Sequence, residues 1–378
     1  MRSLDGLPDF PFSIEARDGG ARAGRLDTPR GVVETPCFMP VGTKGTVKAM
    51  TPERLQAVGA RIILANTYHL ALRPGSETIR RLGGLHRFMH WEGPILTDSG
   101  GYQVFSLRDT ARIDDSGVAF RSIYDGAMEV FTPERAMAEQ QTLGGDLVIC
   151  LDQCPPATAG EAAVKEAMER TSRWAARCKR AHQEREGLGT DGPQMLLGIT
   201  QGGVLPHLRR ESVEQLSAIG FPGYAIGGLT VGEDRQAMLD TIGLTASLLP
   251  DTRLRYFMGL GDPQGLLDAI ACGVDMFDCV LPTRTARMGT ALTRRGRLNL
   301  RNAEHALSTD PLEEGCPCAA CTDFSRGSLR HFVMQKEIIG IMLLTEHNLT
   351  FLARLVAEAR RAIIAGRYAS FADSLGAA

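Results

Sequence analysis

The 378-residue sequence has no run approaching 18 apolar residues and so offers no membrane-spanning helix. Met1 to Phe12 lacks a basic segment leading into an apolar one, so no secretory signal peptide is expected there. There is neither a P-loop nor a dinucleotide fingerprint, which argues against ATP-driven or hydride-transfer chemistry. Aromatic residues make up only 6%, with two tryptophans, too few for the stacked platforms that sugar-binding barrels expose. Internal repeats and low-complexity tracts are missing. Net charge is only −2, which on its own speaks against a broadly basic nucleic-acid binder. The nine cysteines do not pair up as a disulfide framework. Cys37, Cys150, Cys154, Cys178, Cys272 and Cys279 are scattered, mostly in apolar surroundings, and read as reduced thiols of a cytoplasmic protein.

What is present is regular. Eight short apolar runs read as buried strands: 36–43, 61–68, 94–98, 146–152, 196–201, 224–229, 255–260 and 276–281. Helices are expected to begin near Thr51-Pro52-Glu53, Pro74-Gly75, Thr132-Pro133-Glu134, Gly160, Leu205-Pro206, Gly232-Glu233 and Asp262-Pro263. Several of these carry a capping residue, then proline, then an acid. Apolar strands alternating with helices imply a parallel sheet covered on both faces, and eight such units favour an α/β fold of the (β/α)8 TIM-barrel type. Residues 1–288 are expected to form the barrel, with an N-terminal hairpin turning at Asp18-Gly19-Gly20 and a second hairpin inserted at 112–130.

The remaining cysteines are clustered. Cys316, Cys318 and Cys321 fall within six residues, and His347 follows 26 positions later. Three thiolates and one imidazole meet the needs of a closed tetrahedral zinc site, one ion per chain, with no open position for substrate. The metal is therefore expected to hold structure: a zinc-binding insertion at 289–344, tied to a final helix from about Thr345 to Ala365 within a segment 345–378 that closes the barrel. Beside it, residues 284–301 contain six arginines and no acid, a local patch able to neutralise several phosphates whatever the global charge.

Barrel enzymes place their chemistry at the C-terminal ends of the strands. Here those ends carry Asn66-Thr67-Tyr68-His69, Asp98-Ser99-Gly100-Gly101-Tyr102-Gln103, Asp152-Gln153-Cys154, Gln201-Gly202-Gly203, Gly227-Gly228-Leu229, Met258-Gly259 and Asp278. Glycine beside polar residues permits close backbone approach to a flat ligand. Asp98 and Asp278 would open on one pocket. Asp275 competes with Asp278, but strand side chains alternate, so only one of the two faces inward, and Asp275 is nearer the wrong end of the strand. A carboxylate nucleophile with a second acid/base carboxyl is suited to attack at a sugar anomeric carbon.

Five segments in order, Asp98–Gln103, Gln201–Gly203, Gly227–Glu233, Asp275–Arg284 and the Cys-x-Cys-x-x-Cys…His cluster, resemble the bacterial tRNA-guanine transglycosylases, the queuine tRNA-ribosyltransferase family. The resemblance covers nearly the whole chain. It implies exchange of guanine 34 in tRNAs with a GUN anticodon (Asp, Asn, His, Tyr) for 7-aminomethyl-7-deazaguanine, a queuosine precursor. It implies that Asp278 attacks C1′ of the ribose to give a covalent intermediate and that Asp98 is the general acid/base. Asp152 and Gln201, with the backbone at Gly228 and Leu229, would read the base, with Ser99, Gly100 and Gly101 beside them. Tyr102 and Met258 would form the stacking slot. The stretches Gly259-Leu260-Gly261-Asp262-Pro263-Gln264-Gly265 and Thr283-Arg284-Thr285-Ala286-Arg287 would bind the anticodon loop. Cys154 and Val231 suit a compact pocket for the aminomethyl base. The partners implied are tRNA, the 7-deazaguanine base and a second copy in a homodimer, with no membrane.

Two rivals are weaker. A TIM-barrel glycoside hydrolase with a structural zinc would share the carboxylate pair, but it needs neither the glycine-rich slot nor the arginines. A non-catalytic tRNA-binding subunit would not need to retain both Asp98 and Asp278.

Overall fold

The computed structural model describes residues 6–101 and 111–376. Its centre is a closed barrel of parallel strands. In order around the ring these are Cys37–Met39 with Val41–Gly42, Ile63–Ala65, Ile95–Thr97, Leu147–Ile149, Met195–Thr200, Gly223–Ile226, Leu254–Phe257 and Met276–Asp278. The first stave is split at Pro40, which has no N–H to give to the ladder. Its first half pairs with the last strand (Phe277 opposite Phe38) and its second half with the next (Val41 opposite Leu64), so the ring closes with eight staves.

Period-two alternation sorts the side chains. Leu64, Leu96, Leu147, Ile149, Leu197, Ile199, Leu254, Tyr256 and Met276 fill the barrel interior. Ile63, Ile95, Val148, Leu196, Ile226, Phe257 and Phe277 face the surrounding helices. Asp278 continues the inward row of Met276, whereas Asp275 continues the outward row of Phe277.

The strands are shorter than the apolar runs suggest, because polar residues at their ends become caps. The expected strand 61–68 stops at Ala65. Asn66 instead accepts the His69 N–H at 3.0 Å and starts a helix, Thr67–Leu72. The last strand stops at Asp278, and Leu281–Arg287 is a helix with Pro282 in its first turn. Thr51, Thr132 and Asp262 cap helices at Pro52–Ala57, Pro133–Leu143 and Pro263–Ala271, while near Gly232 the cap is Asp234 and the helix runs Arg235–Leu248.

Both expected hairpins gain a third strand. Phe12–Asp18, Ala21–Thr28 and Gly31–Thr35 form an antiparallel sheet at the N-terminal ends of the staves, and Arg112–Asp114, Gly117–Arg121 and Met128–Phe131 form another after the third stave. The expected C-terminal helix at 345–365 is longer: it runs Ile338–Ile364, and a further helix follows at Tyr368–Gly376. The polar frame around His347 looks like a helix start but is mid-helix; the chain enters the helix after Lys336, at φ 59°, with Glu337 at the cap position.

This long helix joins two cores. Leu343 and Leu344 pack into the cysteine-bearing subdomain, and Leu352, Leu355 and Ala359 pack into the barrel. Arg360 donates to the carbonyls of Gly24 (2.8 Å) and Thr35 (2.7 Å), fastening it to the N-terminal sheet. Among the described residues it is the one helix long and apolar enough to cross a bilayer, but 61% of its apolar window is buried inside the protein.

Candidate active site

The C-terminal ends of the staves enclose a cavity of about 470 Å³. Asp98, Asp152 and Asp278 all line it, from the third, fourth and eighth strand ends. Each is held differently. One Asp98 oxygen accepts the backbone N–H of Thr67 (2.9 Å) and of Gly100 (3.1 Å), and the other accepts the Asn66 side-chain amide at 2.5 Å. Burial nevertheless pushes its carboxyl up to about 7, and the neighbouring Asp278 and Asp152 add to the rise. Asp278 accepts the Tyr256 hydroxyl at 2.5 Å and the Gly259 N–H at 3.0 Å. Its carboxyl is also raised by burial, with those two donors opposing the rise. Asp152 accepts the Gln201 side-chain amide at 2.7 Å, and burial raises it to about 6.

Two glycines are forced by space. A Cβ on Gly100 (φ +78°) would lie 3.1 Å from the Tyr68 backbone nitrogen. One on Gly228 (φ +70°) would lie 2.1 Å from Gln201 Oε1. Both lie in the cavity wall, with Ser99, Gly101, Leu229, Met258 and Cys154. Gln201 itself is buried behind Asp152, its Oε1 without a hydrogen-bond partner among the described residues, and it meets the cavity through that carboxylate. Val231 lines a neighbouring hollow of about 210 Å³ on the far side of Gly228. Tyr102 lies outside the described residues.

The cysteine cluster is a separate centre. The donor atoms of Cys316, Cys318, Cys321 and His347 all lie within 4.8 Å of one another. His347 Nδ1 is 3.8, 3.5 and 3.3 Å from the three sulfurs, and its Nε2 donates to the Leu292 carbonyl at 2.9 Å. That outer bond fixes the tautomer, leaving Nδ1 free for a ligand. Three sulfurs and one nitrogen closing on one point fit a metal ion with no position left over.

A family model described as queuine tRNA-ribosyltransferase matches residues 18–377. The queuine tRNA-ribosyltransferase of Pelotomaculum thermopropionicum is 52% identical over 364 residues, 96% of each chain. Those of Solidesulfovibrio magneticus (95% of each chain) and Thermus thermophilus (97% of this chain, 93% of the relative) are both 51% identical. The chain belongs to the queuine tRNA-ribosyltransferase family. It is a transferase.

Within the family frame, the two stretches expected to bind the anticodon loop divide sharply by exposure. In the first, Leu260, Gly261 and Gly265 are buried. Asp262 caps its helix by accepting the Gly265 N–H at 2.8 Å and pairs with Arg235, leaving Gly259, Pro263 and Gln264 as surface beside it. In the second, Thr283 and Ala286 are buried, and Thr285 accepts from Asn348 of the long helix at 3.1 Å. Arg284 and Arg287 project from the opposite side; Arg284 lines the cavity. Sequence reasoning passed over Tyr256 and gave Asn66 no role toward Asp98. Alternation along the seventh strand could have found Tyr256, since it shares the inward row with Leu254.

Proposed function

We propose that the chain exchanges guanine 34 of tRNAs with a GUN anticodon (Asp, Asn, His, Tyr) for 7-aminomethyl-7-deazaguanine. The observation that carries this reading is the meeting of Asp98 and Asp278 in one cavity at the barrel mouth. The Asp278 carboxylate attacks C1′ of the ribose as the C1′–N9 bond breaks, and Asp98 gives its proton to the departing guanine. The incoming base then loses its N9 proton to Asp98 and displaces Asp278 from C1′, which returns both carboxyls to their starting states. An Asp98 carboxyl near 7 suits both directions, because acid and base forms are each well populated at neutral pH. The exchanged bonds are nearly equal in energy, so no nucleotide drives the reaction.

Asp152, positioned by Gln201, has the acceptor oxygens to take the N1–H and exocyclic amine of guanine, and Gly228 and Leu229 offer backbone groups beside it. Met258 would form one side of the base slot, and Tyr102 the other. Lifting the base from its stack costs a few kcal/mol, less in a loop than in a duplex. Arg284, Arg287 and the exposed part of 259–265 supply contacts that position the loop without specifying it.

The four-residue cluster holds a structural zinc, on this reading, and divides the chain into barrel (1–288), metal-binding insertion and closing helices. On this reading the closing segment is drawn from about 337, because the long helix starts at Ile338. A cytoplasmic homodimer is the expected state. Cys318→Ser should lose the metal and lower thermal stability together; metal analysis that still finds one zinc per chain would remove Cys318 from the ligand set. The function itself is tested by incubating the protein with unmodified tRNA and radiolabelled guanine. Label entering position 34 is expected, and its failure to enter would overturn the reading.

A further inference from the structure

Beyond the two stretches already named, a third group of cations stands at the barrel mouth. Lys44 and Lys48 lie in the loop after the first stave, and Arg73 follows the helix after the second. All three are exposed. Other exposed arginines of this chain are paired with acids: Arg80 with Glu77, Arg173 with Asp115, Arg235 with Asp268. Among the described residues, Lys44, Lys48 and Arg73 have no carboxylate within ion-pair distance. Arg73 does act electrostatically on Asp125, without contact.

These cations are gathered rather than scattered: Lys44 and Lys48 both act electrostatically on His69, and Lys44 shares one ring with Arg73. The Tyr124 ring, on the insertion after the third stave, has Arg73 4.6 Å and Lys44 5.4 Å from its centroid. Its hydroxyl meets His69 Nδ1 at 3.2 Å, and His69 lines the cavity that holds the aspartates. An aromatic face attracts cations through its quadrupole and limits where they sit. Because the first and eighth staves are neighbours, the group continues the Arg284–Arg287 side of the mouth across the loops after the first, second and third strands.

We propose that Lys44 and Arg73, organised by Tyr124, with Lys48 on the same loop as Lys44, form a phosphate-binding surface for the RNA strand flanking the nucleotide that reacts. This rests on the reading of the cavity as a site for an RNA nucleotide. Tyr124 is a positioning residue: it touches no reacting atom, but it holds two cations and one cavity-lining imidazole. Unpaired cations beside a pocket that takes one nucleotide are where the next phosphates of that strand must pass, and each phosphate contact adds to the salt dependence of binding.

The test uses the full chain and an anticodon stem-loop RNA, with affinity measured across a range of KCl concentrations and guanine exchange measured in parallel. For the double variant Lys44→Ala/Arg73→Ala, KM for RNA should rise about ten-fold and the salt slope should fall by roughly one to two. The turnover number and KM for free guanine should stay within about two-fold. Tyr124→Phe, which keeps the ring, should bind RNA like the parent, whereas Tyr124→Leu should weaken binding. If the parent exchanges guanine but the double variant keeps its slope and KM, this inference is wrong while the exchange reading stands. A parent that binds the RNA with the full salt slope but never exchanges guanine would sink the exchange reading alone. Equal loss in Tyr124→Phe and Tyr124→Leu, with the double variant unaffected, would assign Tyr124 to the His69 contact and overturn the phosphate surface.

Discussion

The eighth strand, Met276–Asp278, is preceded by one aspartate and ends on another, three residues apart, and the two have opposite fates. Asp275, at the floor, is completely buried and outward-facing. It is bound by the Arg22 guanidinium through both oxygens and also accepts the Arg255 N–H at 2.7 Å. Burial pushes its carboxyl up, and the Arg22 guanidinium and the Arg255 N–H oppose the rise. Asp278, at the mouth, is half-buried and has two neutral donors but no cation within ion-pair distance among the described residues. The first carboxyl is spent on holding the N-terminal sheet to the barrel; the second has no such cation beside it among the described residues and opens on a cavity. Residue type does not distinguish them; strand parity and the partner do.

Exchanging each for asparagine should separate the two roles. Asp278→Asn keeps an oxygen for the Tyr256 hydroxyl and the Gly259 N–H, so the fold should hold. On the proposed role of Asp278 as nucleophile, the substitution should cut guanine exchange by on the order of 10³-fold or more and abolish the denaturation-resistant adduct with tRNA. An adduct formed at the parent's yield would remove Asp278 as nucleophile. Asp275→Asn should do the reverse. It leaves Arg22 buried without its counter-charge, a loss of about 3–5 kcal/mol in such settings, read from urea unfolding, while folded protein turns over normally. Equal destabilisation by both substitutions would erase the contrast between floor and mouth.

Much of this contrast was legible in the sequence, and the reasons are local. Alternation put Asp278 and Asp275 on opposite faces, because the strand period is two wherever the strand falls, and the nearness of Asp275 to the strand's entry chose between them. The metal cluster was legible because its spacing is chemical rather than topological. The long helix was misread because Thr345-Glu346-His347-Asn348 looks like a cap, while Ile338–Leu344 carries no start signal of its own. Arg22, 253 residues before its partner, had no sequence signal that could mark it. Nor did the burial of Thr283 and Ala286, which depends on a helix some 60 residues later.

A subtler measurement probes the mouth alone. Burial raises the Asp98 carboxyl from its unfolded value near 4 to about 7, so the folded state binds more protons than the unfolded chain between those values. Stability is then greatest below about pH 4 on this account and declines as pH rises through 7. Asp98→Asn should flatten that decline, though not fully, since Asp152 titrates near 6 for the same reason. In the exchange reaction the parent should show a limb with an apparent pKa near 7 that belongs to the coupled carboxylates. A variant with the parent's full pH slope in unfolding would show that Asp98 is not the group whose charge is disfavoured.

The smallest effect lies at the rim, outside both pockets. Arg287 is exposed, and its Nε donates to the Thr283 carbonyl at 3.2 Å within its own helix, so its removal should leave the unfolding midpoint nearly unchanged. If it contacts one phosphate, Arg287→Ala should reduce the slope of log affinity against log salt by about one unit and weaken all RNA sequences alike. An unchanged slope would take Arg287 off the phosphate path and leave Arg284, which lines the cavity, as the residue on that helix with a role toward RNA. A change in sequence preference would instead mean that Arg287 reads a base edge, and the mouth would then select its substrate at the rim as well as inside the cavity.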